Sequence, residues 1–411
     1  MTRRPLPPCR PGFTDHVYAT VHGVDLPLRV WPAKGARGGA KVPWVLWIHG
    51  GGYTAGKWTA PTAWVTRAFG DRGYAIASVG YRQQPQAALP DMLADCLAAA
   101  LWCRLNLPAL VGADPDAWLV AGSSGGGTLA CLVAHAPLFS VPSTPGVLPG
   151  ISDSSDLSAF GSRSDPYHSS PNPNLNPSPS PSLSPSDPST LPAPRVLVNV
   201  YGVSNNADDH HHNTYRTAPV EDYYVADEAE LAEALADRDP RNAITQSPWA
   251  YELPPAVSLS ECRAALGLPN FVPERKHFAR NDLWSYVARY RLLYTTMFRR
   301  ETFPDVHGAA GREYWRHVMR YSALHLLDRA EGYPPTFLWH GTGDRDVRVQ
   351  QSWEFGDRLR ARGVPVGEVY PEGLGHTFDF EIQTPEDKGW EWVEEMLDFV
   401  DAHIDGDMES D

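Results

Sequence analysis

Short apolar runs that end in glycine or polar residues recur along the chain, and each has the length of a buried β-strand. Such runs, apolar throughout rather than alternating, are typical of strands covered on both faces of a parallel sheet. We therefore expect strands within six segments: Val42–Gly50, Tyr74–Arg82, Asp116–Gly122, Arg195–Gly202, Pro335–Gly341 and Pro365–Glu372.

Segments with apolar residues at helical spacing lie between these runs. The longest reads LPDMLADCLAAALWCRLNL at Leu89–Leu107, with Pro90 in a position suited to a first helical turn. The others are Ala60–Phe69, Gly127–Ala136 and Lys388–Ile404. Strands that alternate with helices predict an α/β fold, with a mostly parallel sheet flanked by helices.

Two long segments depart from this alternation. Residues 137–194 are rich in proline, serine and asparagine and lack hydrophobic periodicity, so we expect a disordered surface insertion. Residues 204–332 contain helical patterns and many aromatic residues but no convincing strand, which predicts a helical cap inserted into a single α/β domain over residues 1–411. The aromatic stripes of this cap are expected to form its core: Trp284, Tyr286, Tyr290, Tyr294, Tyr314, Trp315 and Tyr321.

Composition and net charge limit the classes of molecule that we expect the chain to bind. Apolar residues make up 42% of the 411 residues, and the formal net charge is -14. An acidic chain lacks the basic patches that bind nucleic acid or an anionic membrane, so we expect a small-molecule partner and leave a homodimer open. The N-terminus has no apolar core of a signal peptide and no run of 18 apolar residues occurs, which predicts a cytoplasmic protein. Five scattered cysteines without a CxxC pair predict free thiols: Cys9, Cys96, Cys103, Cys131 and Cys262.

The stretch VAGSSGGG contains a G-x-S-x-G pattern, from Gly122 to Gly126, with Ser124 at its centre. It lies between a predicted strand and a predicted helix, which is the context of a nucleophile elbow. Its glycines leave room for a sharp turn that exposes the Ser124 hydroxyl, whereas Ser123 would face inward. The alternative is a Gly-Ser turn that only tightens the junction between strand and helix.

A second glycine-rich loop, HGGGY, follows the first predicted strand at His49–Tyr53. Backbone N–H groups of Gly51 and Gly52, together with that of Gly125 after the serine, could stabilise a tetrahedral oxyanion. A phosphate-binding loop is the rival interpretation, but no Lys-Ser/Thr pair follows the glycines.

The segments HGGGY, VGYRQQPQAALPDMLADCLAA and GADPDAWLVAGSSGGG resemble the hormone-sensitive-lipase branch of the α/β-hydrolase fold. The resemblance covers Phe13 to Ile404, apart from the insertion and much of the cap. The family usually has Asp before the nucleophile, in GDSAGG, where this chain has Ser123.

The resemblance implies a Ser-Asp-His triad in that chain order. In WHGTGDRDV, the HGxxD pattern of esterases and prolyl-oligopeptidase-like enzymes points to Asp344 as the acid, with Asp346 as the fallback. In YPEGLGHTF, a glycine-flanked loop after a strand supplies His376 as the base. Ser124 would attack an acyl carbonyl while His376 takes its proton and Asp344 orients the imidazole.

The sequence thus predicts a serine hydrolase that cleaves a carboxylic ester through an acyl-enzyme, with no metal and no cofactor. An amidase, a peptidase-like enzyme or a tailoring enzyme of secondary metabolism (acyl transfer, retro-Claisen or dehydrating) remains open. A non-catalytic binder is a further alternative, because the family includes hormone receptors that have lost the histidine.

Two further groups of residues have weaker assignments. Tyr53, Trp58 and Tyr201 follow strand ends, where this fold places its pocket, and are candidate substrate contacts or ordinary packing residues. The run DDHHHN at Asp208–Asn213 suggests metal ligands, but adjacent histidines cannot all face one point, so a solvated or packed loop is expected.

Overall fold

The structure is a computed structural model of the chain. It describes residues 6–34, 41–139, 191–208, 212, 227–249, 252–303 and 311–404. Residues 140–190, which form nearly all of the predicted disordered insertion, lie outside the described residues.

Eight strands form one sheet in the order β1-β2-β4-β3-β5-β6-β7-β8. The six neighbouring strands β4, β3, β5, β6, β7 and β8 are parallel to one another. The hairpin of β1 and β2 adds antiparallel pairing at one edge. The mostly parallel sheet predicted from the sequence is confirmed. The strands are β1 Thr14–Val21, β2 Val24–Trp31, β3 Val42–Ile48, β4 Ala75–Val79, β5 Ala113–Ser123, β6 Val196–Val200, β7 Thr336–Trp339 and β8 Val366–Val369.

The antiparallel hairpin β1–β2 was not predicted. His22 and Gly23 form its two-residue turn, with φ values of 52° and 81°. Positive φ at both central positions is the geometry that two-residue hairpin turns favour. Polar residues interrupt both strands, unlike the uniformly apolar central strands, so the dipeptide His-Gly between them was the available signal.

Helices cover both faces of the sheet, and successive residues of each strand point to opposite faces and contribute to different cores. On β3, Trp44 and Leu46 face the core shared with α2 and α3, whereas Val45 and Trp47 face α1 and the last helix. The helices are α1 Ala63–Asp71, α2 Leu89–Val111, α3 Gly125–Val133, α4 Glu228–Ala236, α5 Leu259–Leu266, α6 Arg275–Arg289, α7 Leu293–Met297, α8 Gly311–Met319, α9 Ala323–Leu326, α10 Gln350–Arg360 and α11 Trp390–Ile404.

The long helix α2 has the length and composition that a membrane span also requires, which no other helix in the described ranges has. Half of its apolar window is buried inside the protein. Its inner residues, such as Leu93 and Leu97, belong to the main hydrophobic core, and a core helix meets the same length and hydropathy criteria. α2 continues four residues beyond the predicted end and stops at Gly112, which has a φ of 70°.

Between β6 and β7, the described residues contain the six helices α4 to α9 and no strand. This inserted segment contacts the body through Arg280 on α6, which donates to the backbone oxygen of Gln84 and the side-chain oxygen of Gln86. Tyr294 and Tyr314 are buried in the core shared with α2 and α3, as expected for a packing role, whereas Tyr290, also expected in the core, is exposed.

Candidate active site

Ser124 occupies the sharp turn between β5 and α3, with a φ of 53° and a ψ of -124°. Positive φ is strained for a residue with a Cβ, and such strain is often found at functional sites. The flanking glycines permit the turn. A Cβ on Gly122 would lie 2.3 Å from the backbone oxygen of Gly126, and a Cβ on Gly126 would lie 2.1 Å from that of Ile48.

The structure brings together the three residues assigned to a triad. His376 Nε2 lies 2.8 Å from Ser124 Oγ, and His376 Nδ1 lies 2.6 Å from Asp344 Oδ2. Ser124 follows β5, Asp344 follows β7 and His376 follows β8, so all three lie at the carboxyl ends of parallel strands. The carboxylate in contact with His376 is that of Asp344, to whose Oδ1 Asp346 donates its backbone N–H at 2.8 Å, which favours Asp344 as the acid over Asp346.

A second histidine, His340, approaches the same carboxylate and was not singled out from the sequence. Its Nε2 lies 3.2 Å from Asp344 Oδ2. Burial alone would raise the pKa of Asp344, but hydrogen bonds from His340 and His376 and the charge of His376 lower it to about 2. Asp344 is therefore an anion at neutral pH and can orient the His376 ring.

The HGGGY loop depends on glycine at two positions. Gly51 has a φ of 120° and Gly52 a φ of 58°, and the carbonyl of Gly51 accepts hydrogen bonds from Thr54 and Ala55. Within the described ranges, no acceptor is bonded to the N–H groups of Gly51, Gly52 or Gly125. Three unpaired donors on these loops are the chemistry that an oxyanion hole requires.

Trp284, on helix α6 of the inserted segment, contacts the HGGGY loop. A Cβ on Gly52 would lie 2.1 Å from Cε3 of Trp284, so the ring lies directly against the glycine. As expected, Trp284 packs against the cap cluster that contains Leu283 and Val287, and its half-buried ring also reaches a predicted oxyanion donor. Only the folded chain reveals this contact, because the two residues belong to distant segments.

The three candidate pocket residues have different surroundings. Tyr53 is buried against Gly125, where an added Cβ would lie 3.0 Å from its ring. The Tyr201 ring lies 4.6 Å from that of His376. Trp58 is buried against Gly80, and the Arg29 guanidinium lies 5.4 Å from its ring, which is a packing environment.

The DDHHHN run is only partly described. The ring of His212 packs 4.5 Å from that of Tyr294 and 4.6 Å from that of Trp315, and Asp208 accepts hydrogen bonds from Arg348. The other members of the run lie outside the described residues. Across the described ranges, no three His, Cys, Asp or Glu side chains converge as metal ligands would, and all five cysteines are unpaired thiols.

Comparison with known proteins supports the interpretation of this geometry. Residues 33–138 match the BD-FAE family, and residues 283–407 match the prolyl oligopeptidase family. A stretch of 131 residues is 31% identical to versiconal hemiacetal acetate esterase of Dothistroma septosporum and covers 32% of this chain and 39% of that protein. The chain has the α/β-hydrolase fold. Its resemblance to hormone-sensitive-lipase-like esterases is likewise confirmed.

The alignments with two other curated relatives cover only part of those proteins. This chain is 24% identical over 422 aligned residues to 5-methylorsellinic acid synthase of Aspergillus terreus, covering 98% of this chain but 14% of the synthase. The carboxylic ester hydrolase LipN of Mycobacterium tuberculosis is 31% identical over 30% of this chain and 34% of LipN. The chain thus covers less than half of the length of these curated relatives.

The fold of the hydrolase matches a solved structure. A thermophilic esterase of Thermogutta terrifontis with butyrate bound aligns with a TM-score of 0.50 and 18% identity, covering 94% of this chain and 92% of that one. At that identity, the similarity establishes the fold alone.

Proposed function

We propose that this α/β hydrolase cleaves a carboxylic ester through an acyl-enzyme formed on Ser124. The observation that carries the proposal is the continuous hydrogen-bonded series from Ser124 Oγ through His376 to Asp344. A serine in contact with a base, whose other nitrogen contacts an anionic carboxylate, has the arrangement of an activated nucleophile.

Each group would have a distinct task in the reaction. His376 Nε2 would take the Ser124 proton as Oγ attacks the acyl carbonyl, and Asp344 would stabilise the imidazolium that forms. The oxyanion would accept hydrogen bonds from the N–H groups of Gly51, Gly52 and Gly125. His376 would then protonate the leaving alcohol, and water activated by the same base would hydrolyse the acyl-enzyme.

Labelling with a fluorophosphonate tests the proposal directly. Intact mass should show one adduct on the chain, peptide mapping should place it on Ser124, and Ser124→Ala should not react. In parallel, p-nitrophenyl esters from acetate to octanoate should be hydrolysed and should reveal the acyl length that the pocket accepts. Absence of both labelling and turnover would contradict the proposal and favour the non-catalytic binder.

A second candidate is transfer of an acyl group from a thioester, within the tailoring alternative named above. The match to 5-methylorsellinic acid synthase covers 98% of this chain, and that to methylphloroacetophenone synthase of Cladonia uncialis covers 88% at 25% identity. The esterase relatives quoted above match about a third of it. The same acyl-enzyme would serve both reactions, because only its final acceptor differs.

Competition between substrates separates the two candidates. The N-acetylcysteamine thioester of 5-methylorsellinic acid and a p-nitrophenyl ester should be compared by kcat/KM, with an added alcohol as acyl acceptor. A higher kcat/KM for the p-nitrophenyl ester with free acid as the product supports the esterase. Preference for the thioester, or ester formation with the added alcohol, supports the transferase.

A further inference from the structure

A second buried carboxylate, Asp379, lies three residues after His376 and has no assigned role. It is fully buried. Its Oδ2 accepts a hydrogen bond from Trp64 Nε1 at 3.0 Å, and its Oδ1 accepts one from the Tyr201 hydroxyl. The side chain is therefore fixed at both oxygens, by residues from two other segments of the chain.

Asp379 can carry a negative charge at this position. The Trp64 indole N–H can only donate, so Oδ2 is an acceptor, and the Tyr201 hydroxyl, which can donate or accept, is placed to donate to Oδ1. In the part of the chain that the structure describes, no lysine or arginine pairs with Asp379. Burial raises the pKa of Asp379, and the hydrogen bonds from Trp64 and Tyr201 and the nearby charge of His376 oppose that rise.

Tyr201 connects this carboxylate to the catalytic base. Its ring centroid lies 4.6 Å from that of His376, with 56° between the ring planes. Its φ of 43° places Tyr201 in the left-handed region, directly after β6, where a residue with a Cβ is strained. Its hydroxyl donates to Asp379 and also interacts with the side chain of Ser123, beside the nucleophile.

We propose that Asp379 is a positioning residue, which holds Tyr201 against His376 and places a second negative charge near the imidazolium formed during catalysis. The proposal rests on the hydrolase reaction proposed above. It adds a buried carboxylate that does not touch Ser124 and acts through the Tyr201 hydroxyl and through its charge.

Several groups surround the His376 ring. Asp344 contacts Nδ1 from the loop after β7, and Ser124 contacts Nε2 from the elbow. Tyr201 faces the ring from the end of β6, and His340 adds a hydrogen bond to Asp344. The proposal assigns a negative charge to Asp379 beside that of Asp344, and removal of this second charge leaves the contact between Asp344 and His376 intact.

The test measures kcat and KM against pH for Asp379→Asn with p-nitrophenyl butyrate. Loss of the negative charge destabilises the imidazolium, so kcat should fall about tenfold to 100-fold while KM stays within about twofold. The same loss lets neutral His376 persist in more acidic solution, so the acidic limb of kcat/KM should move to lower pH. A purely structural role would lower the amount of active protein without moving that limb.

Tyr201→Phe tests the same connection between Asp379 and His376 at the tyrosine. It keeps the ring against His376 and removes only the hydroxyl, so it serves even if Asp379→Asn does not fold. In the double variant, the loss should be smaller than the product of the single losses, because both changes break one connection. Glu381→Gln is the matched control, since it removes an exposed carboxylate from the same segment and should leave both kcat and the pH profile unchanged.

The outcomes separate this proposal from the proposed function. A wild-type chain that neither reacts with fluorophosphonate nor turns over esters would overturn both. An active wild-type chain would overturn the role of Asp379 alone if Asp379→Asn kept its kcat and acidic limb. Fully multiplicative effects of Asp379→Asn and Tyr201→Phe would also overturn the proposed connection through Tyr201.

Discussion

The side chains of His340 and Asp344 meet inside the protein, with His340 Nε2 3.2 Å from Asp344 Oδ2 and neither side chain exposed. The same nitrogen lies 2.9 Å from the backbone oxygen of Val347, so it faces two acceptors and must carry the proton. His340 Nδ1 lies 2.8 Å from Ser352 Oγ, which fixes the other side of the ring. His340 thus holds the carboxylate that contacts His376.

Replacement of His340 by leucine should weaken both activity and stability. The change removes a hydrogen bond to the Asp344 carboxylate and leaves the Val347 oxygen buried without that donor. We expect kcat to fall about tenfold and the free energy of unfolding to fall by about 1–3 kcal/mol. Steady-state kinetics and urea unfolding measure these effects. Ser352→Ala, which removes only the contact to the far nitrogen, should have a smaller effect on kcat, and an equal effect would contradict the assignment.

The pKa of Asp344 predicts a loss of stability in acid. Its pKa is lowered from 3.8 to about 2 in the folded protein, so the carboxyl releases its proton more readily there than in the unfolded chain. The resulting stabilisation, about 2 kcal/mol, is present above pH ~4 and disappears as the pH falls toward 2. Unfolding free energies should therefore fall less steeply across this range for Asp344→Asn than for the wild type. Equal slopes would show that the pKa is not lowered.

Exchange of the two adjacent serines tests the register of the elbow. Ser124→Ala removes the nucleophile, so turnover should fall by about 10⁴-fold to 10⁶-fold without loss of folding. Ser123→Ala removes only a buried hydroxyl that interacts with Tyr201, so its effect on rate or stability should be modest. Circular dichroism confirms folding, and active-site labelling measures the reactive serine. An inactive Ser123→Ala beside an active Ser124→Ala would reverse the assignment.

Gly52→Ala tests how closely the inserted segment fits the predicted oxyanion loop. The new Cβ would be strained at a φ of 58° and would overlap the Trp284 ring. We expect kcat to fall about 100-fold, as when an oxyanion donor is displaced. The double variant Gly52→Ala with Trp284→Ala should recover at least about tenfold of that loss, because it removes the overlap.

A glycine elsewhere provides the control for backbone strain. Gly363 also has a positive φ, 75°, but no atom lies within 4 Å of an added Cβ. Gly363→Ala should cost about 1 kcal/mol of unfolding free energy, from backbone strain alone, and leave kcat unchanged. If the Gly52 double variant recovered nothing, then strain rather than the Trp284 contact would explain the loss.

The central sheet and the grouping of Ser124, Asp344 and His376 could be predicted because their signals are local. β3 and β6 are continuous apolar runs, and the elbow glycines have fixed spacing around Ser124. The N-terminal hairpin was missed because polar residues interrupt its strands. One of them, Arg29, is fully buried yet ion-paired with Asp15 at 2.7 Å, which no hydropathy pattern indicates.

The surroundings of the triad could not be predicted because they arise from contacts between distant segments. Asp379 pairs with Trp64, 315 positions earlier, and Trp284 reaches Gly52 only when the inserted helices lie over the sheet. Helix ends were also approximate. The helix expected at Ala60–Phe69 begins at Ala63, after Thr62 adopts an extended ψ of 138°.

The hydrogen bond between Ser124 and His376 joins residues 252 positions apart. A growing polypeptide therefore carries an inert alcohol until the segment with its base has been synthesised and docked. Reactivity toward an electrophilic probe would therefore measure when, during folding, His376 comes into contact with Ser124. A chain that forms the turn around Ser124 but does not bring His376 against it would keep native-like local structure and would not react with the probe.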